Sequence, residues 1–82
     1  MAQSQKGKNN RSERVSRTRE LVLREITWDP LNTGYKWYVA EMYWHVPGLL
    51  IPGTEEQFHD YESALKRYDQ RLNFWRLNND TK

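Results

Sequence analysis

Residues 60–75 read DYESALKRYDQRLNFW, and this stretch decides the fold because its apolar residues follow the period of an α-helix. Asp60 precedes the first turn, where its carboxylate can accept a hydrogen bond from a free backbone amide, as N-cap residues do. The residues of the apolar side recur at spacings of three and four positions: Tyr61, Ala64, Leu65, Tyr68, Leu72 and Trp75. We therefore predict an amphipathic helix that begins after Asp60, ends near Asn78 and covers one face of a sheet.

Two segments before this helix have the composition of β-strands. Residues 21–28 and residues 35–46 are rich in β-branched and aromatic side chains. The turn-forming residues 29–34, Asp-Pro-Leu-Asn-Thr-Gly, separate them by a length that suits an antiparallel hairpin. Residues 57–59 are a candidate third strand, and residues 49–51 are interpreted as a core plug, with an edge strand or a binding loop as alternatives. The predicted fold is α+β, an antiparallel hairpin or three-stranded sheet packed against one C-terminal helix.

The positive charge of the chain is concentrated at its N-terminal end. The 82 residues carry a net charge of only +2, with 13 Lys and Arg against 11 Asp and Glu. Residues 1–19, however, contain one acid, Glu13, and almost no large apolar residue. Such a segment cannot bury enough apolar surface to offset the entropy lost on ordering. We predict a flexible, disordered basic arm at residues 1–19, a single domain at residues 20–78 and a short tail at residues 79–82.

The basic residues of this arm are candidates for contacts with phosphates: Lys6, Lys8, Arg11, Arg14, Arg17 and Arg19. They are interleaved with Ser, Asn and Gln, and such a segment can follow a nucleic-acid groove without a fold of its own. We therefore predict that the arm contacts nucleic acid or a nucleoprotein. The alternatives are a solubilising tail, or an arm that docks on the acidic body and is released by a polyanion.

The second predicted strand is aromatic on both faces. Side chains alternate between the faces of a strand, and the more continuously apolar face is predicted to pack on the helix: Tyr38, Ala40, Met42 and Trp44. The opposite face would then be exposed to water: Tyr35, Trp37, Tyr43 and His45. A monomer rarely exposes so dense an aromatic surface, so we predict that these residues bind a protein partner or form a homodimer. Stacking of nucleic-acid bases on the rings is the third interpretation.

Little in the sequence supports an enzyme. The chain has no cysteine, which excludes thiol catalysis and Cys-ligated metals, and it has no glycine-rich phosphate loop or familiar catalytic motif. Glu41 and His45 share a face of the predicted strand and could hold a metal or transfer a proton, but we favour a structural hydrogen bond or no interaction between them. The longest apolar run, residues 49–51, is too short for a membrane span. We expect a non-catalytic, cytoplasmic protein with no cofactor, no metal and no membrane contact.

A small sheet followed by a capped amphipathic helix is similar in outline to the arm-site-binding domains of tyrosine recombinases. The resemblance covers residues 35–75 and includes the spacing Phe58-x-x-Tyr61-x-x-Ala64-Leu65. It implies a small DNA-binding module. In those domains the sheet carries basic residues, whereas the second strand here has only Lys36, which argues against direct readout of DNA by the sheet. The small size and dense aromatic residues also resemble proteins of phages and mobile elements, so the alternative function is to bind and inhibit or adapt a host protein without contacting nucleic acid.

Overall fold

The computed structural model describes residues 9–46 and 48–79, which form an antiparallel sheet of four strands in chain order and one C-terminal helix. The elements are β1 (Arg11–Arg14), β2 (Arg19–Glu25), β3 (Trp37–Tyr43), β4 (Glu56–Phe58) and α1 (Tyr61–Asn79). The predicted α+β class and the C-terminal helix are confirmed. The sheet has one strand more than the largest sheet predicted, because β1 lies within the predicted arm.

The helix α1 lies across one face of the sheet. Asp60 is its N-cap: the backbone amide of Ser63 donates to Oδ2 at 3.0 Å, and the Ser63 hydroxyl donates to Oδ1 at 2.9 Å. The main core lies between α1 and the sheet and contains Val15, Leu21, Leu23, Val39, Ala64, Tyr68 and Leu72. Partly buried side chains surround it: Trp37, Phe58, Tyr61, Leu65 and Trp75. The apolar stripe predicted for the helix is therefore the surface that packs on the sheet.

The helix covers the face of β3 opposite to the one predicted. Trp37 packs against the main core, and its ring centroid lies 4.9 Å from that of Tyr61. The side chains expected under the helix instead form a smaller cluster on the other face: Val22, Ala40 and Met42, with Tyr38 and Leu50 beside them. Because both faces of β3 are apolar, alternation alone cannot decide which one meets the helix, and tertiary packing decides. The predicted orientation of β3 is wrong, and Trp37 does not lie on an uncovered sheet face.

Residues 11–19 differ from the predicted disordered arm. β1 pairs with β2 in a register that runs from Arg11 opposite Leu23 to Arg14 opposite Glu20. The strand ends in a turn at residues 15–18, where the amide of Val15 donates to the carbonyl of Arg19 at 3.0 Å. The folded unit thus includes residues that the sequence prediction assigned to the arm.

The sequence of β1, Arg-Ser-Glu-Arg, has no β-branched or aromatic residue, so strand propensity does not reveal it. Its place in the sheet depends on contacts with residues distant in sequence. The Arg11 guanidinium donates to the Tyr61 hydroxyl, and the Glu13 carboxylate accepts from Arg76, each at 3.3 Å. Lys6 and Lys8 of the predicted arm, and residues 80–82 of the predicted tail, lie outside the described residues.

The predicted turn between the central strands is present and is organised by Asp29. Its Oδ1 accepts from the amide and the hydroxyl of Thr33, each at 2.9 Å, and its Oδ2 accepts from the amide of Gly34 at 3.0 Å. The backbone hydrogen bonds from Thr33 and Gly34 lower the pKa of the Asp29 carboxyl. Asn32 and Gly34 have φ angles of 58° and 85°, which Asn and Gly adopt with the least strain. The turn is thus held by three hydrogen bonds to one carboxylate.

Residues 49–51, between β3 and β4, combine two of the interpretations made from the sequence. Leu50 forms an isolated bridge with Met42, and the amide of Ile51 donates to the carbonyl of Glu41 at 2.9 Å. The side chain of Ile51 is buried. This segment therefore extends the sheet edge and also fills part of the interior.

Candidate functional site

Glu41, on the helix-facing side of β3, is the buried centre of a polar cluster. Arg19 Nη1 donates to its Oε1 at 2.7 Å, and Arg71 Nη2 donates to its Oε2 at 3.1 Å. The indole Nε1 of Trp75 donates to the same Oε2 at 3.3 Å. These four residues, Glu41, Arg19, Arg71 and Trp75, are called the Glu41 cluster below. The cluster joins β2, β3 and α1 through one carboxylate.

The surroundings of Glu41 keep its carboxylate ionised. Burial raises the pKa of this group, but the hydrogen bonds from Arg19, Arg71 and Trp75 outweigh burial and lower the pKa overall. A carboxylate held ionised by two guanidinium groups is a poor proton carrier at neutral pH. His45 lies beyond the end of β3 and is exposed, and no hydrogen bond joins it to Glu41 among the described residues. The Glu41 and His45 pair considered from the sequence is not formed, and the geometry of Glu41 is that of a structural group.

A groove of about 560 Å³ lies beside this cluster, along α1. Its lining residues are Glu41, Arg67, Gln70, Arg71, Phe74 and Trp75. Arg67 Nε and Arg71 Nη1 both donate to Oε1 of Glu56, at 2.8 and 3.3 Å, and the hydrogen bond from Arg67 is the main cause of the lowered pKa of Glu56. Arg71 is mostly buried, whereas Phe74 is 61% exposed. The groove is therefore lined by polar side chains that bind one another and by the exposed ring of Phe74.

A second surface lies where the β1–β2 turn meets the start of the β3–β4 loop. The amide of Trp44 donates to the carbonyl of Thr18 at 2.7 Å, and the Arg14 guanidinium lies 4.6 Å from the centroid of the Trp44 ring. Arg14 also donates to the carbonyls of Ser16 and Arg17, at 3.1 and 3.0 Å, so its head group is held in place. We call this surface the turn patch and define it as Arg14, Arg17, Tyr43, Trp44 and His45, all of which are exposed.

The turn patch combines residues from the two sets predicted separately from the sequence. Arg14 and Arg17 come from the predicted nucleic-acid set, and Tyr43 and His45 come from the predicted partner set. The other described members of both sets lie elsewhere. Arg11 contacts Tyr61 and Arg19 binds Glu41, while Tyr35 stacks on His59 with 4.5 Å between ring centroids and Trp37 packs against the core. The two predicted sites therefore do not form two separate surfaces. Four of their described residues lie in the turn patch, and the others make contacts within the fold.

Several groove residues were not singled out from the sequence. Arg67, Arg71 and Phe74 lie outside the apolar stripe predicted for the helix. The signal that could have found them is a second stripe at helical spacing: Arg67, Gln70, Arg71 and Phe74. Trp44, expected beneath the helix, is 41% exposed.

In residues 9–46 and 48–79, no group of three or more His, Cys, Asp or Glu side chains is arranged to hold a metal ion. No helix in this part of the chain is long and apolar enough to cross a membrane. Comparison with protein-family models, curated proteins and solved structures found no match to the chain. Its function must therefore be inferred from the chemistry of its own residues.

Proposed function

We propose that the protein is a non-catalytic binding module that contacts nucleic acid, free or in a nucleoprotein, through the turn patch. The observation that carries this proposal is the exposed pair of Arg14 and Trp44 beside Arg17. Within the described part of the chain, neither arginine takes part in an ion pair. Guanidinium groups without a carboxylate partner are available to phosphates, and exposed indole rings offer a surface on which bases stack.

The geometry of Arg14 favours binding without a large entropic cost. Its hydrogen bonds to the Ser16 and Arg17 carbonyls and its position over Trp44 hold the guanidinium in place before a ligand arrives. Arg17 lies next to it in the turn and is exposed. Lys6 and Lys8 precede β1 in the sequence and belong to the same proposal as additional phosphate contacts. A cytoplasmic location, where nucleic acids are accessible, is part of the proposal.

The test is the salt dependence of binding to labelled oligonucleotides, single-stranded and duplex, followed by fluorescence anisotropy. The double variant Arg14→Ala, Arg17→Ala should bind about tenfold or more weakly, and its plot of log affinity against log salt should be shallower by about two phosphate contacts. The matched control is Lys36→Ala, Lys66→Ala, which removes two exposed positive charges outside the turn patch. This control should bind within about threefold of the wild type, since it retains the local contacts and loses only long-range attraction.

A protein partner is the second candidate function, and one observation favours it. Trp28 lies directly before the turn organised by Asp29 and Leu31 lies within it, and their side chains are 79% and 83% exposed. Large exposed apolar side chains at neighbouring positions suit a contact with a protein or with a second copy of the chain. If the wild type shows no salt-dependent binding to any oligonucleotide, the nucleic-acid proposal fails and this candidate takes its place.

A further inference from the structure

The groove along α1 lies on the same side of the sheet as one edge of the turn patch. Tyr43 is two residues beyond Glu41 on β3, so their side chains point to the same face. Tyr43 is also the partner of Arg19 in the sheet register, and the Arg19 guanidinium lies 6.0 Å from the centroid of the Trp75 ring in the groove lining. Arg19 therefore connects the Trp75 ring of the groove to Tyr43, the part of the turn patch on the helix side of the sheet. Arg14 is out of phase with the helix-facing Arg11 and Glu13, so Arg14 and the Trp44 ring beneath it lie toward the other face.

The charges of the groove and the turn patch favour an anionic ligand. The two carboxylates near the groove, Glu41 and Glu56, are shared among three guanidinium groups, those of Arg19, Arg67 and Arg71. One positive charge is left in excess, and Arg14 and Arg17 continue the positive charge in the turn patch. The bond between Arg67 and Glu56 is partly exposed on both sides, so solvent screens it and a phosphate can compete for the guanidinium.

We infer that the groove extends the binding surface and that the ligand is single-stranded nucleic acid. The inference rests on the proposed function, and it names the ligand class of that site. Single-strand binding proteins combine a positively charged groove with aromatic rings on which successive bases stack. In a duplex the faces of the bases are covered by their neighbours, so the exposed rings of Phe74 and Trp44 would have no partner.

In this arrangement the strand runs along α1, passes Tyr43 at the end of the sheet and continues to the side of the turn patch that carries Arg14 and Trp44. One base stacks on Phe74, and the adjacent phosphate pairs with Arg67 in place of Glu56. A later base stacks on Trp44, with Arg17 beside its phosphate. Arg71 and Glu41 are not ligand contacts, because their mutual bonds are buried and hold the helix on the sheet.

The experiment compares a single-stranded oligo-dT of about 12 nucleotides with a duplex of equal length, since single-strand sites span about 4–16 nucleotides. Affinities are measured by anisotropy at one fixed salt concentration. The oligo-dT should bind about tenfold or more tightly than the duplex. Phe74→Ala should weaken its binding by about fivefold or more through lost stacking, and Phe74→Tyr should restore it. Arg67→Ala should weaken binding and reduce the salt slope by about one.

The chain supplies a matched control for each variant. Leu77→Ala removes an apolar side chain that is as exposed as Phe74, on the same helix but outside the groove lining. Lys66→Ala removes a positive charge next to Arg67 that does not line the groove. Both should bind oligo-dT within about twofold of the wild type. Circular dichroism and thermal unfolding verify that Phe74→Ala is folded.

The failure of this inference is distinct from the failure of the proposed function. Equal binding of duplex and single strand overturns the inference and leaves the proposed function intact. The inference is also overturned, and the proposed function left intact, if the Phe74 and Arg67 variants bind like the wild type while the Arg14 and Arg17 double variant binds weakly. Absence of salt-dependent binding to any probe overturns both.

Discussion

The molecule contains two pairs of arginine and tryptophan in different settings. In the Glu41 cluster, the Arg19 guanidinium lies 6.0 Å from the Trp75 ring centroid and both side chains bind one buried carboxylate. In the turn patch, the Arg14 guanidinium lies 4.6 Å from the Trp44 ring centroid and binds only backbone carbonyls of the turn. The same residue types therefore share a buried carboxylate partner in one setting, whereas Arg14 has no carboxylate partner among the described residues in the other.

This difference also sets the expected consequences of mutation. A charge buried with its partner is costly to leave alone, whereas an exposed charge is solvated whether or not it has a partner. Substitutions in the Glu41 cluster should therefore lower the free energy of unfolding. Substitutions in the turn patch should lower the affinity for nucleic acid that we propose, and they should leave the fold nearly unchanged.

The largest expected effect is that of Glu41→Ala. Removing the carboxylate leaves Arg71 largely buried without one of its partners, which should lower the free energy of unfolding by about 3 kcal/mol, the low end of the range for a broken buried ion pair. Urea denaturation followed by circular dichroism measures it. This loss of stability is the cost of leaving Arg19 and Arg71 without their shared carboxylate. Replacing the whole cluster with apolar residues can cost much less.

Glu56→Ala is the control for Glu41→Ala. Glu56 also contacts Arg71, but its carboxylate and its other partner, Arg67, are partly exposed, so the loss should be at most about 1 kcal/mol. Equal destabilisation by the two variants would remove the distinction between a buried cluster and an exposed surface.

The elements with a strong local signal were predictable from the sequence. The helix α1 was found from its apolar period and from Asp60, and the turn at Asp29 was found from its Pro, Asn and Gly. The orientation of β3 was not predictable, because the face that includes Trp37 and the face that includes Tyr38 are similarly apolar. β1 was missed because its strand conformation depends on pairing with β2 and on contacts with α1, which lie far away in the sequence.

The candidate sites were predictable only in part. The sequence predicted Arg14, Arg17, Tyr43 and His45 as binding residues on two separate surfaces, whereas in the structure these four residues lie in one exposed patch. It also treated Arg17 and Arg19 alike, although β2 directs Arg19 to Glu41 and the turn leaves Arg17 exposed. Which arginine meets a carboxylate depends on strand register and on helix packing, and neither can be obtained from local composition.

The next effect in size separates two tryptophans of β3 and its loop. Trp37→Ala should lower the free energy of unfolding by about 2 kcal/mol, less than for a fully buried ring, because Trp37 packs against the main core while partly exposed. Trp44→Ala should cost less than about 1 kcal/mol, the value of an exposed cation–π contact, yet weaken oligonucleotide binding. Chemical denaturation of both variants measures the two losses in the free energy of unfolding.

Trp37→Phe tests whether the loss at Trp37 comes from packing, since it keeps most of the ring and should restore most of the stability. A stable Trp37→Ala protein with altered oligomer size would contradict the placement of Trp37 and favour the partner-binding face expected from the sequence.

The smallest expected effect is the acid dependence contributed by Glu41. Its pKa is lower in the folded protein than its ordinary value of about 4.3, so the unfolded chain takes up the proton at a higher pH than the folded one does. The resulting stability is complete above the ordinary pKa and is lost as the pH falls through it toward the lowered folded value. Glu41→Gln has no such proton to take up, so the stability difference between wild type and Glu41→Gln should shrink between pH 7 and pH 3. Urea midpoints at each pH measure this difference, with the exposed Glu55→Gln as a control whose difference from wild type should change less. A difference that stayed constant over this range would mean that the carboxylate does not gain its stability from ionisation, and the contrast between the Glu41 cluster and the turn patch would then rest on packing alone.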